Sequence, residues 1–382
     1  MVNKLVVSKI LTDKEAKALE GTWIDESHIK IPVLNESVDI YYLDNETGSE
    51  KLLLKFRKGV ITDNEIRLGW KAYKDLAKPS RGRGASAGPI DTNNQYWSKR
   101  VVVNNKKWMT NYLNPKGLEL KQKYDEMSIE GLINLANELE VKYTNLSKEN
   151  LIINIIKKQK GVSKMKVNNQ VASNPIGFFD ADNKMCNLPC RLTHFTRTNF
   201  DKYQEGFPFL QKIDKLYKEL IPDAHQRQLD RANKKPLFKI SDTSFSTITI
   251  NRNFRTALHR DAGDFREGFG NLTVIERGKY HGGYTVFPQF GVGIDLRNND
   301  FVAMDVHQWH CNTPIYETEE DKIFNESLEP VFKDNPEVGT EGIYEKYTRI
   351  SFVCYLREKI AKCPDIIDPR YLQESGHSKI KD

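Results

Sequence analysis

Two histidines and an aspartate give this 382-residue chain the residue types of a metal site. His259 and Asp261 lie two residues apart, so on a strand both side chains project from the same face. A second histidine would complete a set of two histidines and one carboxylate. Such a set binds Fe(II) on one side and leaves positions open for a chelating co-substrate and for O2. The segment 300–314 supplies the missing histidine.

That segment contains two histidines, His307 and His310, which are three residues apart. Residues at this spacing lie on opposite faces of a strand, so only one of them can face the metal. We expect His310 to be the ligand, because the pattern His-x-Asn-Thr-Pro at 310–314 ends a strand in the manner of Fe(II) oxygenases. His307 remains the alternative ligand.

An arginine and a serine on a later strand supply an anion-binding pair. Arg349 and Ser351 alternate along the strand-like segment 348–355, so they share one face. An inward arginine is costly unless it is paired with an anion. Its planar fork matches the distal carboxylate of 2-oxoglutarate, and Ser351 can add a hydrogen bond.

The second half of the chain is rich in short alternating segments, which predict strands. They lie at 245–250, 272–275, 283–287, 301–304 and 349–355, separated by turns rich in Gly and Asn. Short strands spaced in this way favour a barrel or a sandwich. No dinucleotide-binding motif, Walker motif or internal repeat is apparent.

These motifs resemble the Tet/JBP family of nucleic-acid-base dioxygenases. The resemblance covers residues 240–358 and is carried by Thr-Ile-Thr-Ile-Asn-Arg-Asn at 247–253, His-Arg-Asp-Ala-Gly-Asp at 259–264, Gly282-Gly283 before Phe287-Pro288, His310 to Pro314, and Arg349-Ile350-Ser351. Some of these segments are closer to the JBP branch, which acts on thymine, and others resemble the Tet branch, which acts on 5-methylcytosine, equally well.

The resemblance implies an α+β fold with a double-stranded β-helix (jelly-roll or cupin-like) core, flanking helices and an inserted helical hairpin. It implies Fe(II) on His259, Asp261 and His310, 2-oxoglutarate on Arg349, O2 as oxidant, and hydroxylation of a methyl group on a pyrimidine flipped out of DNA. Three polar residues flank the metal motif. Asn251 is expected to bind the co-substrate together with Arg349 and Ser351, and Asn253 and Asp264 are expected to contact the base.

Two basic segments outside the strand-rich half predict contacts with DNA. The loop 78–89 combines small residues with Arg81 and Arg83, which we expect to contact the substrate. Apolar residues at helical spacing in 127–139, followed by a second helix that begins after Ser147, resemble a SAP-like helical pair. From 147 to 166 there are six lysines against one acid, and Lys148, Lys157 and Lys158 are expected to contact the DNA backbone. A solvated helical hairpin and a flexible surface loop are the alternatives.

We therefore expect three regions: an N-terminal α/β part of the oxygenase at 1–125, the helical insert at 126–165, and the catalytic domain at 166–382. Segment 317–341 carries nine acids against two lysines and is expected to form a surface insertion.

The five cysteines are scattered along the chain, which favours reduced thiols and an intracellular protein. The nucleus and the cytoplasm are both open as its location, and so is a viral or phage origin. Cys186, Cys190 and His194 are too few for a structural zinc site.

The bulk composition sets outer limits on function. No apolar run is long enough to span a membrane, and the first residues turn polar too soon for a secretion signal. The net charge of +6 favours an anionic partner; no protein partner is identifiable. Two other functions remain open: a 2-oxoglutarate-dependent hydroxylase of a protein side chain or small molecule, and a non-catalytic DNA-binding protein on the same fold.

Overall fold

The computed structural model describes residues 2–44, 47–80, 83–88, 101–103, 107–109, 115–159, 171–183, 187–328 and 347–372. The chain forms two compact units. The first comprises Met1–Pro89, Gln170–Asp182 and Leu188–Asp382, and the second comprises Ile90–Asn169 and Asn183–Asn187. Across the described ranges, no helix is long and apolar enough to cross a membrane.

The strands and helices follow the chain in this order. The strands are β1 (Asn3–Val7), β2 (Val38–Leu43), β3 (Glu50–Arg57), β4 (Pro79–Ser80), β5 (Val101–Val103), β6 (Lys107–Met109), β7 (Val171–Phe179), β8 (Arg191–Leu192), β9 (Thr247–Arg252), β10 (Gly270–Arg277), β11 (His281–Gly282), β12 (Thr285–Phe287), β13 (Val292–Ile294), β14 (Phe301–Met304), β15 (Cys311–Asn312), β16 (Ile315–Tyr316) and β17 (Thr348–Tyr355). The helices are α1 (Asp13–Ala18), α2 (Asp63–Tyr73), α3 (Pro115–Asp125), α4 (Ile129–Glu138), α5 (Lys148–Gln159), α6 (His194–Thr198), α7 (Phe200–Glu205), α8 (Phe207–Leu220), α9 (Pro222–Asn233) and α10 (Glu319–Glu326).

One large mixed sheet forms the frame of the first unit. Within the described part of the chain it has ten strands, in the order β1-β2-β3-β14-β10-β17-β9-β7-β4, with β8 paired to β7. β1 and β2 are parallel neighbours, whereas the pairs from β3 to β9 are antiparallel. The hairpin predicted around residues 45–48 is confirmed as β2 and β3. The central strand β17 is buried on both faces, and its two faces have different roles.

One face of β17 packs against helices. Phe352 is fully buried, and its ring lies 5.0 Å from that of Phe209 and 5.9 Å from that of Tyr73, measured between centroids. Helix α8 presents a buried stripe at helical spacing to this core: Phe209, Leu210, Ile213, Leu216 and Tyr217. Our sequence analysis did not predict the helices between residues 194 and 233. They form a layer that covers this side of the sheet.

The opposite face of the sheet is covered by short strands. Among the described residues, β13, β12 and β15 form a three-stranded antiparallel sheet. Phe287, Val292 and Ile294 from this sheet share a buried cluster with Leu272 and Val302 of the large sheet. The first unit is therefore a mixed α+β structure with a large sheet, as predicted.

The second unit contains the predicted helical pair. Ser128 caps α4 by accepting a hydrogen bond from the Gly131 amide at 3.1 Å, and α4 and α5 share buried apolar residues including Leu132 and Ile152. The structure adds α3, which the sequence analysis did not predict. The domain limits at 125 and 165 stay a prediction.

One expectation about the cysteines of the first unit needs correction. Cys190 and Cys363 were expected to be reduced, but the fold brings their Cα atoms to 5.8 Å and a disulfide joins them across 173 residues of chain. Cys311 and Cys354 are free and buried.

The acidic segment 317–341 stays a predicted surface insertion. Within it, Glu319–Glu326 form helix α10, whose N-terminus is capped by Thr318. Residues 329–341 lie outside the described residues.

Candidate metal centre and its cavity

Main-chain hydrogen bonds hold the two predicted metal-binding histidines side by side. His259 and His310 form an isolated antiparallel bridge. The His259 amide donates to the His310 carbonyl at 3.1 Å, and the His310 amide donates back to the His259 carbonyl at 3.0 Å. Asp261 is held by its own amide, which donates to the carbonyl of Val306 at 3.0 Å. The segments that carry the three side chains are therefore fixed to each other by the backbone.

The three side chains converge on one point. His259 Nε2 lies 3.7 Å from Asp261 Oδ1, and His310 Nε2 lies 3.6 Å from Asp261 Oδ2. One ligand atom from each residue falls within 4.8 Å of the other two. The competing histidine, His307, places Nε2 3.4 Å from the carbonyl oxygen of Phe265 and is not part of this group. The structure thus brings His310, and not His307, to His259 and Asp261.

The state of both imidazoles suits a metal ion. His259 Nδ1 lies 2.8 Å from the carbonyl of Ala257, and His310 Nδ1 lies 2.9 Å from the carbonyl of Gln308. Because a carbonyl can only accept, each Nδ1 carries a proton, and Nε2 is the ring nitrogen that faces the other two side chains. Burial, followed by the nearby His259, lowers the pKa of His310 to about 4, so His310 is neutral at pH 7.

The triad opens into a cavity of about 320 Å³. The face of β17 opposite the helices lines it with four alternating residues: Arg349, Ser351, Val353 and Tyr355. Arg349 is only 3% exposed, and its Nε atom has no hydrogen-bond partner among the described residues. A buried guanidinium nitrogen without a partner calls for an anion. These residues therefore fit a carboxylate co-substrate beside the metal ligands.

The predicted co-substrate residues next to Arg349 form a hydrogen-bonded chain. Asn251 and Ser351 are cross-strand partners on β9 and β17. Asn251 Nδ2 donates to Ser351 Oγ at 3.3 Å, and Ser173 Oγ donates to Asn251 Oδ1 at 2.5 Å. Both Asn251 and Ser351 line the cavity. Their orientations are set by neighbouring strands, so they present a fixed polar wall to a ligand.

The two predicted base contacts occupy different environments. Asp264 lines the cavity, where burial and, to a smaller degree, the charge of Asp261 raise its pKa well above the usual range, against the effect of Arg357. Asn253 is not among the lining residues. Its backbone is left-handed (φ 44°), its Nδ2 donates to the Tyr347 carbonyl at 3.1 Å, and its Oδ1 accepts from the Arg349 amide at 2.7 Å. Asn253 therefore supports the start of the strand that carries Arg349.

The basic residues predicted to contact DNA differ in their surroundings. Arg83 lines the cavity and donates through Nη1 to Thr249 Oγ1 at 3.5 Å, whereas Arg81 lies outside the described residues. Lys148 Nζ donates to the carbonyls of Asp125 and Met127 at 2.7 and 2.9 Å. Lys158 Nζ lies 3.7 Å from Glu140 Oε2. Lys157 is in α5, but its side chain lies outside the described residues.

Sequence reasoning missed several lining residues, among them Val353, Tyr355 and Arg357. Val353 and Tyr355 continue the alternation of Arg349 and Ser351, so the period of two along β17 was a sufficient signal for both. Arg357 lies past the end of the strand, and no local pattern marks it. Tyr355 is buried, and its hydroxyl lies 3.2 Å from Thr249 Oγ1.

Comparisons with known proteins agree with this site. Residues 174–358 match the Tet_JBP family model, described as the oxygenase domain of the 2OGFeDO superfamily. The bifunctional helicase and thymine dioxygenase JBP2 of Leishmania major is 34% identical over 182 residues, which are 48% of this chain and 14% of that protein. Thymine dioxygenase JBP1 of Trypanosoma brucei brucei is 33% identical over 173 residues, 45% of this chain and 20% of that protein. The chain thus spans a fifth or less of the length of these relatives.

A solved structure of NgTET1 in complex with 5mC DNA covers 98% of this chain and 88% of its own, with a TM-score of 0.41 and 9% sequence identity. That similarity is too low to support a conclusion. The family match is different, because it spans the three converging side chains and Arg349. The superfamily in general uses Fe(II), 2-oxoglutarate and O2, which the triad fits. Residues 174–358 of this chain are therefore similar to the oxygenase domain of the Tet/JBP family, which agrees with the sequence resemblance.

Proposed function

We propose that this chain is an Fe(II)- and 2-oxoglutarate-dependent dioxygenase that hydroxylates the methyl group of a pyrimidine, thymine or 5-methylcytosine, in DNA. One observation carries the proposal: a single cavity contains both the triad of His259, Asp261 and His310 and the buried guanidinium of Arg349. The relatives matched over 182 and 173 residues are thymine dioxygenases by name, which supports a methylpyrimidine as substrate. DNA as substrate is consistent with an intracellular protein.

The strand order supports a double-stranded β-helix as the core. The antiparallel run β14-β10-β17-β9 faces the three-stranded sheet β13-β12-β15 across a shared apolar cluster. The metal-binding residues lie at the edge of this arrangement, with His310 immediately before β15. Side chains placed on paired strands are held more rigidly than side chains on loops, which favours a fixed metal geometry.

Separate groups of residues would bind the metal and the co-substrate. His259, Asp261 and His310 would hold Fe(II) through two Nε2 atoms and one carboxylate. Arg349, with Ser351 and Asn251 beside it, would hold 2-oxoglutarate by its distal carboxylate and so orient the other end toward the metal. When bound, the iron and its co-substrate activate O2 for hydroxylation of a carbon–hydrogen bond. The protein supplies the position of the methyl group and the exclusion of water.

The size of the cavity constrains how DNA would present its base. A volume of about 320 Å³ lies at the lower end of the range of about 300–1,000 Å³ typical of small-molecule sites. It admits a co-substrate and a single base but no duplex. The target base must therefore leave the stack to reach the metal. Tyr355 and Asp264 line the cavity and are available to contact such a base.

The test is anaerobic reconstitution with Fe(II) and 2-oxoglutarate, followed by air and DNA containing thymine or 5-methylcytosine. We expect a weak visible absorption band before air is added, and a base heavier by one oxygen in nucleoside mass spectrometry afterwards. His310→Ala should abolish both signals, whereas His307→Ala, three residues away, should keep both. A band without an oxidised base would refute DNA of these two kinds as the substrate, and no band would refute the metal site.

A further inference from the structure

A second cavity of about 500 Å³ lies in the first unit. Its walls come from residues 76–80 with Arg83, from the stretch of β7 at 173–179, and from residues 194–199 in and after α6. Three basic residues line it, namely Lys78, Arg83 and Arg357, together with the exposed His194. Its described lining includes no aspartate or glutamate. The cavity therefore has a positive wall, which favours an anionic ligand.

Two arginines line both this cavity and the metal cavity, so they form the wall between them. Their charges are in different states. Arg357 Nε is paired with Asp180, and its guanidinium lies over the ring of Phe179 at 5.2 Å. Among the described residues, Arg83 donates through Nη1 to the neutral hydroxyl of Thr249 and contacts no carboxylate. The positive charge of Arg357 is thus paired by direct contact, whereas the charge of Arg83 is influenced by Asp261 without a direct ion pair.

The second guanidinium nitrogen of Arg83 points to a missing ligand. Arg83 Nη2 is buried and has no hydrogen-bond partner among the described residues. Burial also lowers the pKa of Arg83, against the opposing effects of Tyr355 and Asp261. A buried arginine is normally paired with an anion. When one partner of a buried ion pair is removed, the charge that remains is strongly destabilising. An anion on Nη2 would remove this penalty.

We infer that the second cavity is a phosphodiester-binding site for the DNA strand whose base enters the metal cavity. The inference rests on the proposed function and names the part of the substrate that each cavity takes. A flipped base stays covalently attached to its sugar and phosphates, so a phosphate must lie just outside the cavity that holds the base. Arg83 stands at the wall between the two cavities, and a guanidinium fork binds phosphate oxygens through two parallel hydrogen bonds. Lys78 is exposed at the same cavity and adds a second positive charge.

The co-substrate is the competing anion for Arg83, since 2-oxoglutarate also enters the metal cavity. The distribution of charge favours the phosphate. Arg349 already provides a buried guanidinium for the co-substrate on β17, with Ser351 and Asn251 next to it. Among the described lining residues, Arg83 and Arg357 are the two that reach both cavities. A ligand that extends through both cavities, as a nucleotide in a strand does, makes use of that position.

The test replaces one DNA phosphate at a time by an uncharged methylphosphonate. Oligonucleotides with one methylphosphonate at each position around the target base are titrated against the wild-type chain and against Arg83→Gln, Arg83→Lys and Arg67→Gln. Arg67 is an exposed arginine of α2 that lines neither cavity, so its variant removes an equal charge elsewhere. In wild type, one methylphosphonate next to the target should weaken binding about tenfold, the scale of one charge-assisted contact. Binding by Arg83→Gln should not respond to the methylphosphonate at that position, and it should respond as wild type does at every other position.

The accompanying readouts separate failure of this inference from failure of the proposed function. Arg83→Gln should also reduce the slope of log Kd against log salt by about 0.9 for duplex DNA, with the Fe(II)–2-oxoglutarate absorption band unchanged. Arg83→Lys should keep the slope, which excludes misfolding as the cause. If no methylphosphonate position depends on Arg83 while DNA is still oxidised, the phosphate site is refuted and the enzyme stands. If Arg83→Gln instead weakens 2-oxoglutarate binding, Arg83 belongs to the co-substrate site and the inference is refuted.

Discussion

His259 and His310 are joined by both hydrogen bonds of one antiparallel bridge, and their ring centroids lie 4.4 Å apart. The two residues are far apart in the sequence, yet the position of each imidazole is set by the backbone of the other. The carbonyls of Ala257 and Gln308 then orient the rings through Nδ1. The main chain consequently sets the positions of both imidazoles.

Arg349 should determine the choice of co-substrate through its charge. We expect Arg349→Gln to raise the Kd of 2-oxoglutarate about 100-fold, which corresponds to about 2.7 kcal/mol. The loss follows because the distal carboxylate would lose its charge-assisted partner in a buried place. The measurement is a titration of the Fe(II)-loaded protein with 2-oxoglutarate, monitored through the visible absorption band.

The control for this prediction is a change in the ligand. 2-Oxovalerate has the same chain length and chelating end but no distal carboxylate. Wild type should bind it about as weakly as Arg349→Gln binds 2-oxoglutarate, and Arg349→Gln should distinguish poorly between the two acids. Equal discrimination by both proteins would show that Arg349 does not contact that carboxylate.

Phe352 should be a major source of stability for the first unit. Its ring is fully buried between Tyr73 and Phe209, so Phe352→Ala leaves a cavity against helices α2 and α8. We expect a loss of about 3–5 kcal/mol in the free energy of unfolding, measured by denaturant titration. Ile323→Ala, at a side chain that is 72% exposed, should change it by less than about 0.5 kcal/mol. Similar effects of both substitutions would contradict the layer assignment.

Local patterns in the sequence were enough to predict much of the fold and the three side chains that converge in the candidate metal centre. The alternation along residues 348–355 places Arg349 and Ser351 on one face, and the structure puts both in the cavity. The hairpin of β2 and β3 and the helical pair of α4 and α5 follow from turn residues and helical spacing. These features depend on neighbours within a few residues, so one sequence contains the whole signal.

Features that depend on distant contacts could not be predicted in this way. The pairing of Cys190 with Cys363 joins residues 173 positions apart, and nothing near either cysteine marks the other. The hydrogen bond from Arg83 to Thr249 likewise depends on the fold, because the two residues are distant in the sequence. Asn253 was expected at the base, but its side chain satisfies the backbone at the start of β17, a role that only the folded structure reveals.

The Cys190–Cys363 disulfide should stabilise the first unit. It closes a long loop and so restricts the unfolded chain, an effect typically worth about 2–4 kcal/mol. We expect the double substitution Cys190→Ser and Cys363→Ser, or treatment with a reductant, to lower the midpoint of thermal unfolding. The reductant should have no effect on the double variant. A wild-type midpoint that is insensitive to a reductant, with free thiols detected at both positions in the native protein, would contradict the pairing.

Burial should protect the two remaining described thiols from reaction. Cys311 and Cys354 are buried, and burial raises the pKa of both, so little thiolate forms at neutral pH. In a Cys186→Ser background, we expect negligible alkylation of the native protein at pH 8 and full alkylation of both after unfolding. Mass spectrometry of peptides would measure each site. Rapid labelling of either cysteine in the native state would show that the core around β15 or β17 opens.

Lys148 and Lys158, both predicted to contact DNA, should behave differently when they are changed. Lys148 Nζ donates to the carbonyls of Asp125 and Met127 at the end of α3, so its ammonium group is engaged within the second unit. Lys148→Met should therefore destabilise this unit, seen as faster amide hydrogen exchange in α3 and α5. Lys158 is 51% exposed and lies beside Glu140, so Lys158→Gln should leave exchange unchanged.

Binding of duplex DNA at several salt concentrations then tests the predicted backbone contact. If Lys158 neutralises a phosphate, Lys158→Gln should reduce the slope of log Kd against log salt by about 0.9. Lys71→Gln is the control, because Lys71 is an exposed lysine of α2 whose side chain is 75% accessible. An equal small change in both variants would mean that the helical pair contributes only general charge, and that the contacts with phosphate are made elsewhere.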